Sequence, residues 1–365
     1  MQTEFFPSRT LALYIARLFI TRILGVLVML VLVLQMLDLL SESGKILAVP
    51  GNGEAQLWSY VSMRTPQLIA RFLPYSVLLA TLFTFFPLNQ NSEVVAMRAA
   101  GLSAHQILAP LLATAVVVSA ISLIFNERVV TRASATLKAW QNAEYGPIPN
   151  NSGVRSNVYL RDGPNILVAG SLTGSGPGIR MEAVTWYRRD AAGTILEQVR
   201  SPSASYAAPG WKLGTPVSIN VQSTLRQELP SLVVARDITP AQVAISAVDA
   251  DGQNIVELSR SISALRAAGR RTSELDGKWW HKLSAPLSAI LMPLLGAIAA
   301  FGLARSGQLL IRAVIGMSLG FAYFVVDNAA LAMGNFGAYP PMIAAWAPFL
   351  LFALIGETVL IRTEE

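Results

Sequence analysis

The sequence predicts an α-helical membrane bundle of six transmembrane helices, arranged three plus three, with an inserted external all-β domain of jelly-roll type. Three observations carry that reading. The chain of 365 residues is 53% hydrophobic and only 14% charged, with a mean hydropathy of +0.48, far more apolar than a soluble domain of this size. Six apolar runs are long enough to span a bilayer, and the first three hold no charged side chain. Between the third and fourth runs the chain turns polar and rich in Gly, Ser and Pro, with short β-like runs at sandwich spacing.

Taken in order, Arg9, Arg17 and Arg22 lead into the first span, 23–37, and Asp38, Glu42 and Lys45 mark its far end. The run is too long for a cleaved signal, and no Ala-x-Ala site follows it. Pro50, Gly51, Asn52 and Gly53 place a loop within 46–65, followed by an interfacial helix. The second span is 72–88 and the third 107–125; Pro74 and Pro110 fall near the span starts, where proline is tolerated. Strands are expected at 158–160, 166–169, 183–187, 195–200, 217–221 and 232–235, with turns at Arg161-Asp162-Gly163 and Pro209-Gly210. An amphipathic helix, 255–268, with Val256, Ser259, Ile262 and Leu265 in helical rhythm, leads back to the membrane. The last three spans are 283–304, 313–326 extending past Asp327, and 340–361. The expected divisions are therefore 1–125, 126–280 and 281–365. Arg9, Arg17, Arg22, Arg98, Arg305, Arg312 and Arg362 fall on one side of the membrane, against Lys45, Arg64 and Arg71 in the short loops of the other. By the positive-inside rule the first side, with both termini, is cytoplasmic and the β domain is external.

Between the second and third spans lies a polar island, 89–106, which reads as a short helix at about 91–101. Asn91 or Ser92 is the expected cap, Glu93 sits in the first turn where negative charge suits the helix dipole, Arg98 lies near the end, and Gly101 stops it. Ser103-x-x-Gln106 is a capping-box pattern with Leu102 and Ile107 placed as a staple, so a second helix begins at once. The island is an elbow on the cytoplasmic side.

Motifs exclude several functions. With no cysteine, disulfides and thiolate chemistry are ruled out, and His105 and His281 are too far apart in sequence to suggest zinc. No metal, cofactor or catalytic residue is expected. No Gly-x-x-x-x-Gly-Lys-Ser/Thr occurs, so the chain has no P-loop of its own. The basic residues are dispersed and mixed with acids, which argues against nucleic acid as a partner. Gly316-Met317-Ser318-Leu319-Gly320 matches the hydrolase pattern Gly-x-Ser-x-Gly, but inside a transmembrane helix the same glycines form a close-packing Gly-x-x-x-Gly face. Asp327 reads either as a functional intramembrane carboxylate or as an interfacial residue reaching water at the outer end of its span, and Asp38 has the same two readings. Arg71 is either a headgroup anchor or a contact for an anionic ligand. Glu93 is either a solvated carboxylate at a helix start or a docking group.

Over essentially its full length the sequence resembles the LptF/LptG family of lipopolysaccharide export permeases. The resemblance rests on Ser92-Glu93-Val94-Val95-Ala96-Met97-Arg98-Ala99-Ala100-Gly101, similar to the family's cytoplasmic coupling helix, and on three plus three spans around an external β domain. The run 320–327, Gly337-Ala338-Tyr339-Pro340-Pro341 and the short tail resemble the LptG branch. The resemblance implies a permease subunit of an ABC transporter in the bacterial inner membrane, with the β domain in the periplasm. Its implied partners are an LptF-like permease subunit in a heterodimer, an LptB-like ATPase dimer, an LptC-like single-span protein and an LptA-like periplasmic bridge; its implied cargo is lipopolysaccharide. Glu93, Val94, Val95, Met97 and Arg98 would couple to the ATPase. Asp38, Lys45, Arg71, Gly316, Gly320 and Asp327 would form the substrate gate, with Gly316 and Gly320 at a seam against the sister subunit. The family carries several lysines at the outer end of the first helix, whereas Gln35-Met36-Leu37-Asp38-Leu39-Leu40-Ser41-Glu42 stands here, so Lys45 and Arg71 are left as the nearest cationic candidates.

Overall fold

The computed structural model describes residues 7–148, 155–174, 178–190, 193–221, 223, 225–240, 243, 249–267, 271–300 and 309–362. The chain divides into two compact units. One comprises Met1–Leu37, Leu68–Glu127 and Arg271–Glu365, the other Asp38–Gln67 and Arg128–Arg270.

The first unit is helical. Helix α1, Arg9–Leu47, contributes its first part; the others are the second part of α2, Glu54–Gln90, α3, Glu93–Ala99, α4, Ala104–Phe125, α7, Ser273–Ala300, α8, Leu309–Asn335, and α9, Pro341–Arg362. On this first part of α1 the buried side chains are Ile15, Phe19, Ile23, Leu27, Val31 and Gln35, one every fourth residue, while Leu13, Leu24, Val28, Leu32 and Met36 are exposed. So narrow a buried stripe means that α1 meets this bundle along a single seam. Elsewhere small residues allow close approach: a Cβ on Gly296 would meet Thr81 Cγ2 at 2.6 Å, and one on Gly356 would meet Leu294 Cγ at 2.7 Å. Pro110 lies inside α4, where the Thr114 hydroxyl donates to the Pro110 carbonyl at 2.7 Å.

The second unit holds the sheet. Its strands are β1 Arg155–Asp162, β2 Asn165–Thr173, β3 Arg180–Arg189, β4 Ile195–Ala207, β5 Gly210–Gly214, β6 Val217–Asn220, β7 Arg226–Glu228 and β8 Leu232–Val234. They run in the order β1-β2-β3-β4-β5-β8, with β6 joining β4 to β7, and every pairing is antiparallel. The long β4 pairs with β3 on one edge and divides the other between β5 and β6. Val158, Leu167, Ala169, Met181, Val199 and Trp211 are fully buried in the core of the sheet, and Trp211 Nε1 donates to the Ile238 carbonyl at 2.9 Å. A second cluster in this unit gathers Ile46, Tyr60, Leu137, Trp140 and Tyr145. Tyr145 also donates to Glu42, and burial together with that bond pushes its phenol up to about 12.

Several expectations need correction. The expected loop and interfacial helix at 46–65 shrink to a short turn, because α2 starts at Glu54 and runs unbroken to Gln90. The third helix does not stop at Phe125. A π-helical segment, Asn126–Val130, follows it, and α5, Thr131–Asn142, continues the helix, so the first part of the expected β domain is helical. Asn126-Glu127-Arg128 reads as a polar helix end, but a π turn accommodates an extra residue without ending the helix. The amphipathic helix lies where expected, as α6, Ile255–Ala267. Among the described residues the eight strands are linked by antiparallel pairing into one sheet. Two strands escaped the sequence: β5 is flanked by glycines and β7 is wholly polar and exposed. Among the described residues, five helices are long and apolar enough to cross a membrane. Part of the expected fourth span, 301–304, lies outside the described residues, as do Arg305 and the side chain of Arg312.

Candidate functional site

The elbow is built from local signals. Its helix α3 ends in a paired stop: Gly101, at φ +89°, lets its N–H reach the Arg98 carbonyl at 3.0 Å and that of Leu102 reach the Met97 carbonyl at 3.2 Å. Next, Gln106 N–H donates to Ser103 Oγ at 3.2 Å and Ser103 N–H to Gln106 Oε1 at 3.0 Å, closing the expected capping box. The start differs from expectation. Ser92 adopts a left-handed backbone, φ 59°, and its side chain caps nothing, because a capping hydroxyl needs the extended backbone that Ser103 has.

Burial divides the five elbow candidates. Val94 and Met97 are 3% and 8% exposed and belong to the bundle core with Ile107 and Leu108. They hold the elbow to its own chain, so as placed they are not docking contacts. Val95 is 49% exposed, Arg98 is exposed and Glu93 half-buried. Glu93 makes no hydrogen bond or ion pair among the described residues. Beside the elbow, His105 on α4 meets Glu357 on α9 at 2.8 Å.

The gate candidates do not form one site. Asp38 is engaged: Arg64 Nε and Nη2 donate to its two oxygens at 3.0 and 3.1 Å, and Tyr60 donates a further bond. These bonds tie α1 to α2. Lys45 pairs with Glu42 at 2.8 Å. Gly316 is buried, and a Cβ on Gly320 would collide with Leu78 Cδ2 of α2. The glycine face therefore turns into its own bundle instead of a seam with a second subunit. Asp327 is 6% exposed, which overturns its reading as a residue reaching water. One of its oxygens, Oδ2, lies 3.0 Å from His281 Nε2 of α7; the other, Oδ1, has no hydrogen-bond partner among the described residues. Close by, Tyr75 of α2 stacks on Phe324 of α8 with ring centroids 3.9 Å apart. Arg71, one turn before Tyr75, is exposed and makes no hydrogen bond or ion pair among the described residues. Lys282 meets Glu127 at 3.6 Å. His281 and Lys282 were missed as partners because nothing local marks them; an intramembrane carboxylate at Asp327 was the signal that a polar partner sits opposite.

An open apolar groove of about 980 Å³ runs between α1, α2 and α4, lined by residues such as Leu13, Ile20, Leu24, Leu73, Val117 and Ile121.

Residues 13–362 match the family model described as lipopolysaccharide export system permease LptF/LptG. The chain belongs to the LptF/LptG permease family. Among curated relatives it is similar to the lipopolysaccharide export system permease protein LptG of Escherichia coli, 26% identical over 98% of this chain and 99% of that protein. The protein of the same name from Haemophilus influenzae is 23% identical over 86% of this chain and 89% of its own length. As an LptF/LptG permease the chain is a transport subunit and not a catalytic one, and its long apolar helices make it a multi-pass membrane protein.

Proposed function

We propose that this permease is the LptG-type subunit of an ABC transporter that extracts lipopolysaccharide from the bacterial inner membrane and passes it to a periplasmic bridge. The observation that carries the reading is the match to proteins of that name over nearly the whole chain. In this reading the chain has six spans, with α7 supplying the fourth. Both termini and the elbow are cytoplasmic and the β region is periplasmic. An LptF-type subunit completes the permease, LptC- and LptA-type proteins receive the lipid, and an LptB-type ATPase dimer supplies the energy. The need for that energy is physical. Exposing lipid chains to water costs about 0.8 kcal/mol per methylene, so one chain of roughly ten methylenes costs about 8 kcal/mol. The apolar face of the β region would shelter such chains beyond the membrane.

The elbow is the coupling element of this reading. A rigid helix held by Val94 and Met97 presents Val95, Arg98 and the unpaired Glu93 to the ATPase. Arg71 and Lys45 are the cations offered to the anionic groups of the lipid. The test is ATP-dependent lipopolysaccharide release from vesicles holding the complete complex. Glu93→Ala removes a charge-assisted contact of about 1.5–3 kcal/mol. It should lower lipid-stimulated ATP hydrolysis while membrane insertion stays intact. Unchanged release from the variant removes Glu93 from the coupling, and no release from the wild-type complex ends the reading as a whole.

A further inference from the structure

Helices α2 and α8 meet along one stripe of each. Leu78 of α2 fills the space left by the absent side chain of Gly320 on α8, and one rung along Tyr75 stacks on Phe324. On α2 these positions step back from 78 to 75; on α8 they step forward from 320 to 324, so the two helices are antiparallel here. Residues three and four apart share a helix face. The next rung, one turn of about 5.4 Å further, pairs position 71 with position 327. Arg71 thus stands opposite Asp327, and Tyr75 lies within electrostatic reach of both.

The register sets the two side chains level with one another, and no ion pair joins them among the described residues. Among the described residues Asp327 is held by His281 through Oδ2, and its buried Oδ1 is left without a partner. A buried carboxylate oxygen that accepts nothing carries a desolvation cost that a guanidinium would relieve. Arg71 is long, exposed and without an ion pair among the described residues, with a planar fork that suits carboxylate and phosphate alike.

We propose that Asp327 is the resting counter-ion of Arg71, and that an anionic phosphate of the exported lipid takes the arginine from it. With no lipid at the seam, Arg71 swings in to the free oxygen and closes the third rung between α2 and α8. A lipid phosphate offers the same fork a competing partner, so the rung opens as the headgroup arrives. His281 then keeps the released carboxylate oriented within the bundle. Asp327 is a positioning residue in this scheme, since it acts on the lipid only through Arg71. The competition half rests on the lipopolysaccharide export reading, whereas the ion pair stands on the helix register.

Two measurements test the two halves separately. The chain has no cysteine, so Arg71→Cys with Asp327→Cys can be probed in the complete complex with a short bifunctional thiol reagent. Crosslinking confirms the rung, and its failure overturns the pair. Lipopolysaccharide is then titrated against ATP hydrolysis, with phosphatidylglycerol vesicles as the control. Removing the competitor by the isosteric Asp327→Asn should lower half-saturating lipopolysaccharide by about tenfold, the equivalent of ~1.4 kcal/mol. Arg71→Ala should raise it, and Asp327→Asn should change nothing further in that background. An Asp327→Asn curve that overlays the wild type sinks the competition while leaving the export reading standing. A wild-type complex that responds to lipopolysaccharide no more than to phosphatidylglycerol counts against the export reading itself, and crosslinking would still report that positions 71 and 327 face each other.

Discussion

The elbow and the α2–α8 seam are both polar interruptions in an apolar bundle, and they are built in opposite ways. Around α3 each determinant lies within a few residues of its partner: Gly101 bonds to Arg98, and Ser103 exchanges bonds with Gln106. Around the seam the partners come from far apart: Tyr75 of α2 meets Phe324 across it, and beside it His281 of α7 holds Asp327, 46 residues away in sequence. Local bonds make an element whose shape survives when its surroundings move, as a coupling helix requires. Long-range rungs make a contact that exists only while two helices keep their register, as a gate requires.

That contrast predicts where a single substitution does most damage. Gly320→Leu should have the largest effect, because its side chain must enter space filled by Leu78, which is 3% exposed and has little room to turn away. Overpacking of this kind costs about 1–3 kcal/mol, offset in part by the roughly 1 kcal/mol that any residue gains over glycine inside a helix. Thermal unfolding of the purified chain should shift down, and lipid release should fall with it. A melt equal to the wild type would mean that α2 and α8 part easily, and the rungs would lose their force.

At the elbow the corresponding disruption is smaller and stays local. Ser103→Ala removes one half of a capping box, a loss of about 1 kcal/mol. Hydrogen exchange should quicken at the first amides of α4, while Tyr75, Phe324 and their neighbours keep wild-type protection. Faster exchange spreading to the seam would show that the two regions are not independent.

The same contrast explains what could be read from the sequence. The elbow was legible almost to the residue because its caps and stop are local chemistry; the exception is Ser92, whose left-handed backbone no side-chain pattern announces. The apolar runs located the helices, yet their ends failed wherever a helix continued through polar residues, as at Asn126–Val130. Burial was the least legible quantity. In a helix apolar on all faces, hydropathy does not say which side meets a neighbour, so Gly320 was expected at a seam with a second subunit and the choice between a buried and a water-facing Asp327 stayed open. Asp38 was legible as a charge at a span end, but its partners Tyr60 and Arg64 lie on another helix.

The smallest effect on stability is expected at Val95, and it sharpens the comparison within the elbow itself. Val94 and Val95 are adjacent and chemically identical, but one is 3% and the other 49% exposed. Val94→Ala removes buried apolar volume and should lower the melting temperature of the isolated chain. Val95→Ala should leave that temperature alone, since exposed substitutions stay within about 0.5 kcal/mol. If Val95 packs into the ATPase, its truncation deletes roughly two methylene equivalents of about 0.8 kcal/mol each from the interface, and affinity should fall by about tenfold. Binding of the purified ATPase to the permease measures this directly. The reverse pattern, with Val94→Ala weakening the ATPase at an unchanged melt and Val95→Ala silent, would place the docking face on the side of α3 that now faces the bundle. The elbow would then have to rotate to engage, which its glycine stop and the capping box that follows oppose.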